Sequence, residues 1–321
     1  MLSPFLIYLS QASWAQKMVT GWSFAWKVVS RFVAGETNEE AMAVVKILNA
    51  KGINATLDQL GEHTSMVEEA TNATEKILGI LDVIEEAKVR AGISIKLTQI
   101  GMGLDSTVCR GNLRRILERA KEYGNFVRID IEDTPYTDIT ISAYREMLET
   151  GFTPETVGMA VQSYLYRAEE DIRKMLSNGT RFRLIKGAYQ EPPELAYPKK
   201  ADVDANFDLL TKIIMDATFE NKFAKISKDG RIPPIPAIAT QDEKRIEFAK
   251  EYAKKIGLEK EFFEFQMLYG IRRDLQNQLV EEGYQVRVYV PFGTQWYPYF
   301  MRRLAERPAN LWFFISNFFK K

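Results

Sequence analysis

Short apolar or β-branched runs recur along this chain with amphipathic segments between them. That alternation restricts the fold more than any other feature. The runs predict strands at Asn54–Leu57, Ile93–Leu97, Phe126–Ile131, Val157–Ser163, Phe182–Lys186, Pro236–Thr240, Phe262–Gln266 and Val286–Val290. Between them lie segments at helical period, among them Leu113–Tyr123, Ala205–Phe219 and Glu243–Ile256, and the last opens at Tyr297. Strand–helix units of this kind build a parallel sheet, and eight of them close a (β/α)8 barrel. An open doubly wound sheet is the alternative, but no Gly-x-Gly-x-x-Gly follows the first strand. The fold class is therefore read as α/β, a (β/α)8 TIM barrel over 50–321 preceded by an N-terminal helical arm over 1–49. In the arm Trp14, Met18, Trp22, Phe24, Trp26, Val28 and Phe32 recur near helical spacing, and Thr37-Asn38-Glu39-Glu40 reads as a capping-box start for a helix through Leu48.

The chemistry is narrowed by what is scarce. Cys109 is the single cysteine of 321 residues and His63 the single histidine. An internal disulfide, cysteine-rich metal sites, histidine-based zinc sites and a Ser-His-Asp triad are excluded, and His63 is expected at a helix start. Lys and Arg balance Asp and Glu at 43 each, so no electrostatic footprint for nucleic acid appears. The apolar run Phe5–Ser13 has no basic residue before it and is broken at Ser10 and Gln11, which argues against a signal peptide. No stretch reaches the length of a membrane span, and the cytoplasm is the expected compartment.

What remains is carboxylates, arginine, lysine, tyrosine or a cofactor. The stretch Arg181-Phe182-Arg183-Leu184-Ile185-Lys186-Gly187-Ala188-Tyr189 puts cations into an apolar strand. A buried cation is costly unless an anion or acceptor meets it, and Gly187-Ala188 would let a flat or anionic ligand approach the backbone. A salt-bridged strand would also account for it. More telling, Lys96, Asp130, Gln162, Arg183, Lys186, Thr240, Gln266 and Tyr289 all fall within or at the C-terminal ends of the expected strands, the face that carries the active site in such barrels. In the last segment Tyr299, Arg302, Arg303 and Glu306 stand at i, i+3, i+4 and i+7 and share one helical face. Arg302 and Glu306 are spaced for an ordinary ion pair. The functional reading is a guanidinium pair that clamps a carboxylate, which with Lys96 implies a small carboxylate substrate.

Five motifs carry a resemblance. Phe126-Val127-Arg128-Ile129-Asp130-Ile131-Glu132-Asp133, Gln162-Ser163-Tyr164-Leu165-Tyr166-Arg167, Arg183-Leu184-Ile185-Lys186-Gly187-Ala188-Tyr189, Phe263-Glu264-Phe265-Gln266-Met267-Leu268-Tyr269-Gly270 and Tyr299-Phe300-Met301-Arg302-Arg303-Leu304-Ala305-Glu306-Arg307 resemble the proline dehydrogenase family, in order and over about residues 30–315. The resemblance implies a distorted barrel holding FAD at the C-terminal strand ends, with the last helix lying over the mouth. It implies oxidation of L-proline to Δ1-pyrroline-5-carboxylate, hydride passing to flavin N5 and electrons to a membrane quinone. A separate pyrroline-5-carboxylate dehydrogenase would take the product. Carried over, Arg183 resembles the arginine beside flavin N5 and Asp130 the carboxylate that structures the reactive end, both as catalytic groups. Lys96, Arg302 and Arg303 resemble the carboxylate clamp, with Tyr289, Tyr299 and Leu268 closing the pocket. Ile131, Gln162, Lys186, Gly187, Ala188, Thr240, Gln241, Gln266 and Glu306 match cofactor positions.

Two departures stand out: Gln241 replaces the histidine of the family's Ala-Thr-His-Asp motif, and Ile131 stands where methionine is common. Glutamine keeps hydrogen-bonding capacity but loses the ring face and any proton. A hydroxyproline or other cyclic imino acid dehydrogenase, or a flavin-less barrel that binds a carboxylate, stays open as an alternative. At the C-terminus Leu311-Trp312-Phe313-Phe314-Ile315 and Phe318-Phe319 precede Lys320-Lys321, a pattern suited to peripheral contact with a membrane.

Overall fold

A computed structural model describes Trp26, residues 29–189 and residues 191–306, with side chains through 301. The aromatic and basic termini, on which the membrane expectation falls, lie outside the described residues. Eight strands form one closed parallel barrel in sequence order: β1 (Asn54–Gln59), β2 (Ala91–Ile95), β3 (Val127–Ile129), β4 (Val157–Gln162), β5 (Phe182–Ile185), β6 (Pro236–Ala239), β7 (Glu264–Leu268) and β8 (Gln285–Phe292). The ring closes between β1 and β8, where Thr56 stands opposite Tyr289.

Successive strand residues point to opposite faces of a sheet, and here the two faces differ chemically. Ala55, Leu57, Ile93, Ile95, Val127, Ile129, Met159, Leu184, Ile238, Phe265, Met267, Val286, Val288 and Val290 all belong to one apolar core between sheet and helices. The alternate positions hold Asp58, Ser94, Arg128, Gln162, Arg183, Glu264, Gln266, Arg287 and Tyr289, so the lumen is polar. In most such barrels the lumen is filled by branched apolar side chains.

Seven helices follow the first seven strands: α2 (Val67–Ala87), α3 (Ser106–Glu122), α4 (Thr134–Glu149), α5 (Ala168–Leu176), α6 (Lys200–Glu220), α7 (Glu243–Ile256) and α8 (Arg273–Glu281). The N-terminal helix α1 (Asn38–Ala50) opens with the expected capping box. Thr37 Oγ1 accepts from Glu40 N at 3.3 Å, and Glu40 Oε2 accepts from Thr37 N at 3.2 Å. This helix buries Ala41, Met42, Val45 and Leu48 and packs against β1 and β8.

The last helix, α9 (Trp296–Glu306), does not join the ring. Its Trp296, Tyr297, Tyr299, Phe300 and Met301 form a separate apolar cluster with Val29, Phe32, Val33, Leu60 and Ile271. Leu60 follows β1 and Ile271 follows β7, so α9 lies over the C-terminal mouth, as the resemblance implied.

Two expectations are corrected. Strand seven does not begin at Phe262: Lys260–Phe262 is a 3-10 turn and the strand starts at Glu264. Phe263 and Phe265 share one face, their rings 5.6 Å apart. Continuing the strand back to Phe262 would aim that ring at the lumen; the turn packs it on the outer core instead. His63 is not at a helix start either. It sits in the loop after β1 with φ of 49°, ahead of α2, its ring 6.0 Å from that of Tyr136.

Candidate active site

The lumen is built upward from a buried ion pair. Glu264 and Arg287, both almost wholly inaccessible, meet at 2.8 Å, and Arg287 donates further to Ala55 O and Gly230 O. One step up, Gln266 Nε2 donates to Glu264 Oε1 at 2.6 Å while Gln266 Oε1 accepts from Arg183 Nε at 2.6 Å. An amide has one donor end and one acceptor end. The carboxylate beneath thus sets which end faces Arg183.

Arg183 reaches the site from β5 and is 5% exposed. Its other nitrogens donate to Asp130 Oδ1 at 2.5 Å and Ser94 Oγ at 2.9 Å, and its guanidinium lies 5.1 Å from the Tyr289 ring centre. Tyr289 donates its hydroxyl to Asp130 Oδ2 at 2.9 Å. Beside this group the Lys96 ammonium donates to both oxygens of Asp58, at 3.0 and 3.1 Å. Arg183, Asp130, Tyr289 and Gln266, expected together, are one hydrogen-bonded unit, and Lys96 joins it through a residue the sequence reading did not single out.

Burial sets the electrostatics. It pushes the Asp58 carboxyl above the ordinary carboxylate range; Lys96 opposes this and Asp130 adds to it. Burial alone would lower Lys96, but Asp58 and then Asp130 more than offset it and hold the ammonium above the usual lysine value. Tyr289 is raised well above an ordinary phenol by burial, with the Asp130 and Asp58 carboxylates adding to the effect. Among the described residues Lys96, Arg128, Arg181, Arg183, Arg231 and Arg287 are buried cations and Asp58, Glu132 and Glu264 buried carboxylates, with Asp130 half-buried.

The remaining strand ends make a cradle. Gln162 donates to Glu132 O at 2.9 Å and accepts from Ala188 N at 3.3 Å, tying β4 to the segment after β5. Gly187 has φ of +132°, and a Cβ there would stand 2.5 Å from the Tyr164 ring. The chain thus presents bare backbone beside a fixed aromatic, which fits a flat ligand. Thr240 is buried, its amide donating to Gln266 O and its hydroxyl accepting from Asp242 N, both at 3.1 Å; Gln241 beside it is half-buried.

Lys186 turns toward the helices and donates to Asp204 Oδ1 at 2.5 Å and Asp242 Oδ2 at 2.7 Å. Ile131 lies in the sheet–helix layer near Thr137 and Ile141, so its backbone is the part nearest the lumen. Leu268 packs against the α9 cluster that includes Tyr299. Arg302, Arg303 and Glu306 stand in the last turns of α9, their side chains outside the described residues.

Asp58, Ser94 and Glu264 escaped sequence reasoning. Their signal was the period-two spacing: Ser94 precedes Lys96 by two, Glu264 precedes Gln266 by two, and Asp58 continues Asn54 and Thr56. Among the described residues no cluster of His, Cys, Asp or Glu has the makings of a metal site, and no helix is long and apolar enough to cross a membrane.

The sequence profile of the proline dehydrogenase family matches residues 41–315. The chain is 39% identical to proline dehydrogenase 1 of Bacillus subtilis (strain 168) over 325 residues, covering 100% of both. It is 39% identical to the proline dehydrogenase of Deinococcus radiodurans over 299 residues, 92% of this chain and 91% of that one. The fold superposes with a TM-score of 0.78 on a crystal structure of proline utilization A (PutA) from Bdellovibrio bacteriovorus inactivated by N-propargylglycine. Identity there is 25%, over 88% of this chain and 33% of that one, so the chain spans about a third of that protein.

Proposed function

The chain belongs to the proline dehydrogenase family, and on that premise we propose that it oxidises L-proline to Δ1-pyrroline-5-carboxylate over a bound FAD. The observation that carries the reading is the connected unit at the barrel mouth: Lys96 on Asp58, Tyr289 on Asp130, and Asp130 and Gln266 on Arg183. It puts a cation for a carboxylate and a second, immobilised cation in one water-poor space under α9.

Proline enters as a carboxylate with a protonated ring nitrogen. Lys96 takes the carboxylate, joined by Arg302 and Arg303 from α9, and this grip turns an encounter into a positioned reaction. Leu268, Tyr289 and Tyr299 exclude water and bear on the ring. Once the nitrogen has given up a proton to water, loss of C5–H as hydride leaves the protonated C5=N double bond. FAD, when bound, accepts that hydride and passes the electrons on, in this reading to a membrane quinone. Arg183 would face the reacting edge of the cofactor. Its guanidinium is held by three acceptors, so charge arising there meets a donor already in place. Asp130 fixes the direction of that donor.

The cradle supports FAD as the resident group. Gly187 and Ala188 offer close backbone approach, Gln162 and Gln266 are held in defined orientations, and Thr240, Gln241, Lys186, Ile131 and Glu306 complete the expected contacts. On this reading 50–321 is the catalytic barrel and 1–49 an arm, and a separate enzyme oxidises the pyrroline product. The test is proline-dependent reduction of an electron-accepting dye by purified protein that carries flavin absorbance. Protein with flavin that reduces dye with hydroxyproline in preference to proline, or protein that never binds flavin, defeats the proposal.

A further inference from the structure

We propose that Asp58 is a positioning residue for substrate: it anchors and charges Lys96, and through the Tyr289 hydroxyl it joins that lysine to the Asp130–Arg183 pair. The inference rests on the reading that Lys96 receives the substrate carboxylate.

Lysine needs such an anchor more than arginine does. A guanidinium is a rigid fork, whereas an ammonium is a point charge on a flexible four-carbon stem, with no direction of its own. Lys96 lies one residue past β2 and is 8% exposed. Deep burial works against its charge, and a neutral amine would have no electrostatic hold on a carboxylate. Asp58, on β1 and 1% exposed, remedies both defects. Both its oxygens lie within hydrogen-bonding distance of the ammonium, at 3.0 and 3.1 Å, so Asp58 occupies one side of it. The N–H bonds on the other side are left as donors to an incoming carboxylate.

Asp58 does more than form a pair. The Tyr289 hydroxyl that donates to Asp130 also lies within hydrogen-bonding reach of Asp58. A phenol has one proton, which goes to Asp130 at 2.9 Å, so its oxygen is what faces Asp58. Of the two carboxylates, Asp58 is balanced by Lys96 and Asp130 by Arg183. The groups facing Asp58 are Lys96 from β2, Asp130 from the end of β3 and Tyr289 from β8. The result is a chain of cation, carboxylate, phenol, carboxylate and cation, crossing the lumen from the carboxylate pocket to Arg183. Removing the Asp58 charge frees the ammonium at one end and leaves Tyr289 wholly to Asp130 at the other.

The experiment compares Asp58→Asn, Asp58→Glu, Lys96→Met and the double variant Asp58→Asn/Lys96→Met in the flavin-loaded enzyme. KM and kcat for proline are measured, with inhibition by cyclopentanecarboxylate, which keeps the ring and carboxylate but lacks the amine. Asp58→Asn should raise the proline KM about tenfold or more, the loss of one well-made charge-assisted contact. The inhibitor should weaken by a similar factor, and kcat should change less. The double variant should be no worse than Lys96→Met alone, because a residue that acts through another adds nothing once that other is gone. If Asp58→Asn does not fold, Asp58→Glu keeps the charge but displaces it by one methylene, and its KM should still rise several-fold. A KM that rises for Lys96→Met but not for the Asp58 variants overturns the inference and spares the reading of Lys96. Additive effects in the double variant overturn it too. An unchanged KM in Lys96→Met removes the reading and the inference together.

Discussion

Replacing Arg183 with lysine separates charge from geometry at the centre of the lumen. The guanidinium is 5% exposed and holds Gln266 Oε1, Asp130 Oδ1 and Ser94 Oγ at 2.6, 2.5 and 2.9 Å. A lysine ammonium can stay with Asp130, so no buried carboxylate is stranded, the outcome that costs about 3–5 kcal/mol when a buried pair loses one partner. It cannot reach three acceptors on three other strands at once. Two bonds from a charged donor are lost, at about 1.5–3 kcal/mol each before relaxation. Rotation of Ser94 and adjustment of Gln266 recover part of this, leaving a loss of roughly 2–4 kcal/mol. For a chain of this length that is a fall of about 3–6 °C in Tm. The effect on chemistry should be larger. Losing a preorganised donor at a reacting centre costs about a hundred- to a thousandfold in kcat. KM for proline should move little, because the carboxylate is held elsewhere. Steady-state dye reduction on protein matched for flavin content, together with thermal melts, measures both. A variant that melts earlier yet keeps kcat within threefold of the parent would make Arg183 a strut of the lumen and nothing more.

Gly187→Ala forces a side chain onto a backbone at φ of +132° and into the Tyr164 ring, 2.5 Å from the new Cβ; it should purify with less flavin, and unchanged visible absorbance would remove the cradle assignment. Burial pushes the Asp208 carboxyl up to about 6, against the pull of Arg245 and with Asp204 adding to the rise. The folded chain therefore keeps the proton longer than the unfolded one, so this group's contribution is fully present below about pH 4 and lost as pH rises through 6. Asp208→Asn abolishes that loss, and its Tm relative to the parent should climb between pH 4 and pH 7 by the equivalent of about 1–3 kcal/mol; a constant difference across the range contradicts the assignment. Tyr299 is buried in the α9 cluster next to Leu268, and in the proposed pocket its ring would pack on unsubstituted methylenes and leave little room for a hydroxyl. The parent should prefer proline to trans-4-hydroxy-L-proline, and Tyr299→Ser should shrink the ratio of their kcat/KM values by about 1–3 kcal/mol equivalent; an unchanged ratio rejects Tyr299 as the discriminator.

The strands were legible because each carries an apolar set at period two, and that set alone places all eight in one layer facing the helices. The polar set was only half legible. Cations stand out in an apolar strand, so Arg183 and Lys96 were noticed, and Asp130 and Gln266 came with them at strand ends. Their counter-groups were not, because partners across a barrel are far apart in sequence: Lys96 is 38 residues from Asp58, and Arg183 is 53 from Asp130. An acidic residue near the end of a short strand, such as Asp58, looks like the start of a loop until the facing strand is known. Lys186 hid its counter-groups in another way. Its partners Asp204 and Asp242 lie on or beside helices, where carboxylates read as a solvated face.

A charged lumen is tolerable because the apolar layer outside the sheet supplies the stability. Within the lumen Glu264 and Arg287 are matched to each other and to backbone carbonyls, which limits the desolvation cost without making the pair a net source of stability. The same division of labour explains the two ends of the chain. A helix lying over the mouth cannot also cover the outside of the strand before it. Moving α9 onto the Leu60 and Ile271 cluster would leave the outer faces of β8 and β1 bare at the seam of the barrel. Helix α1 covers that seam with Ala41, Met42, Val45 and Leu48. A lid from the last helix and a ring helix from the N-terminal arm are therefore one arrangement, and the capping box at Thr37 and Glu40 that starts α1 is a structural condition for having a closed mouth at all.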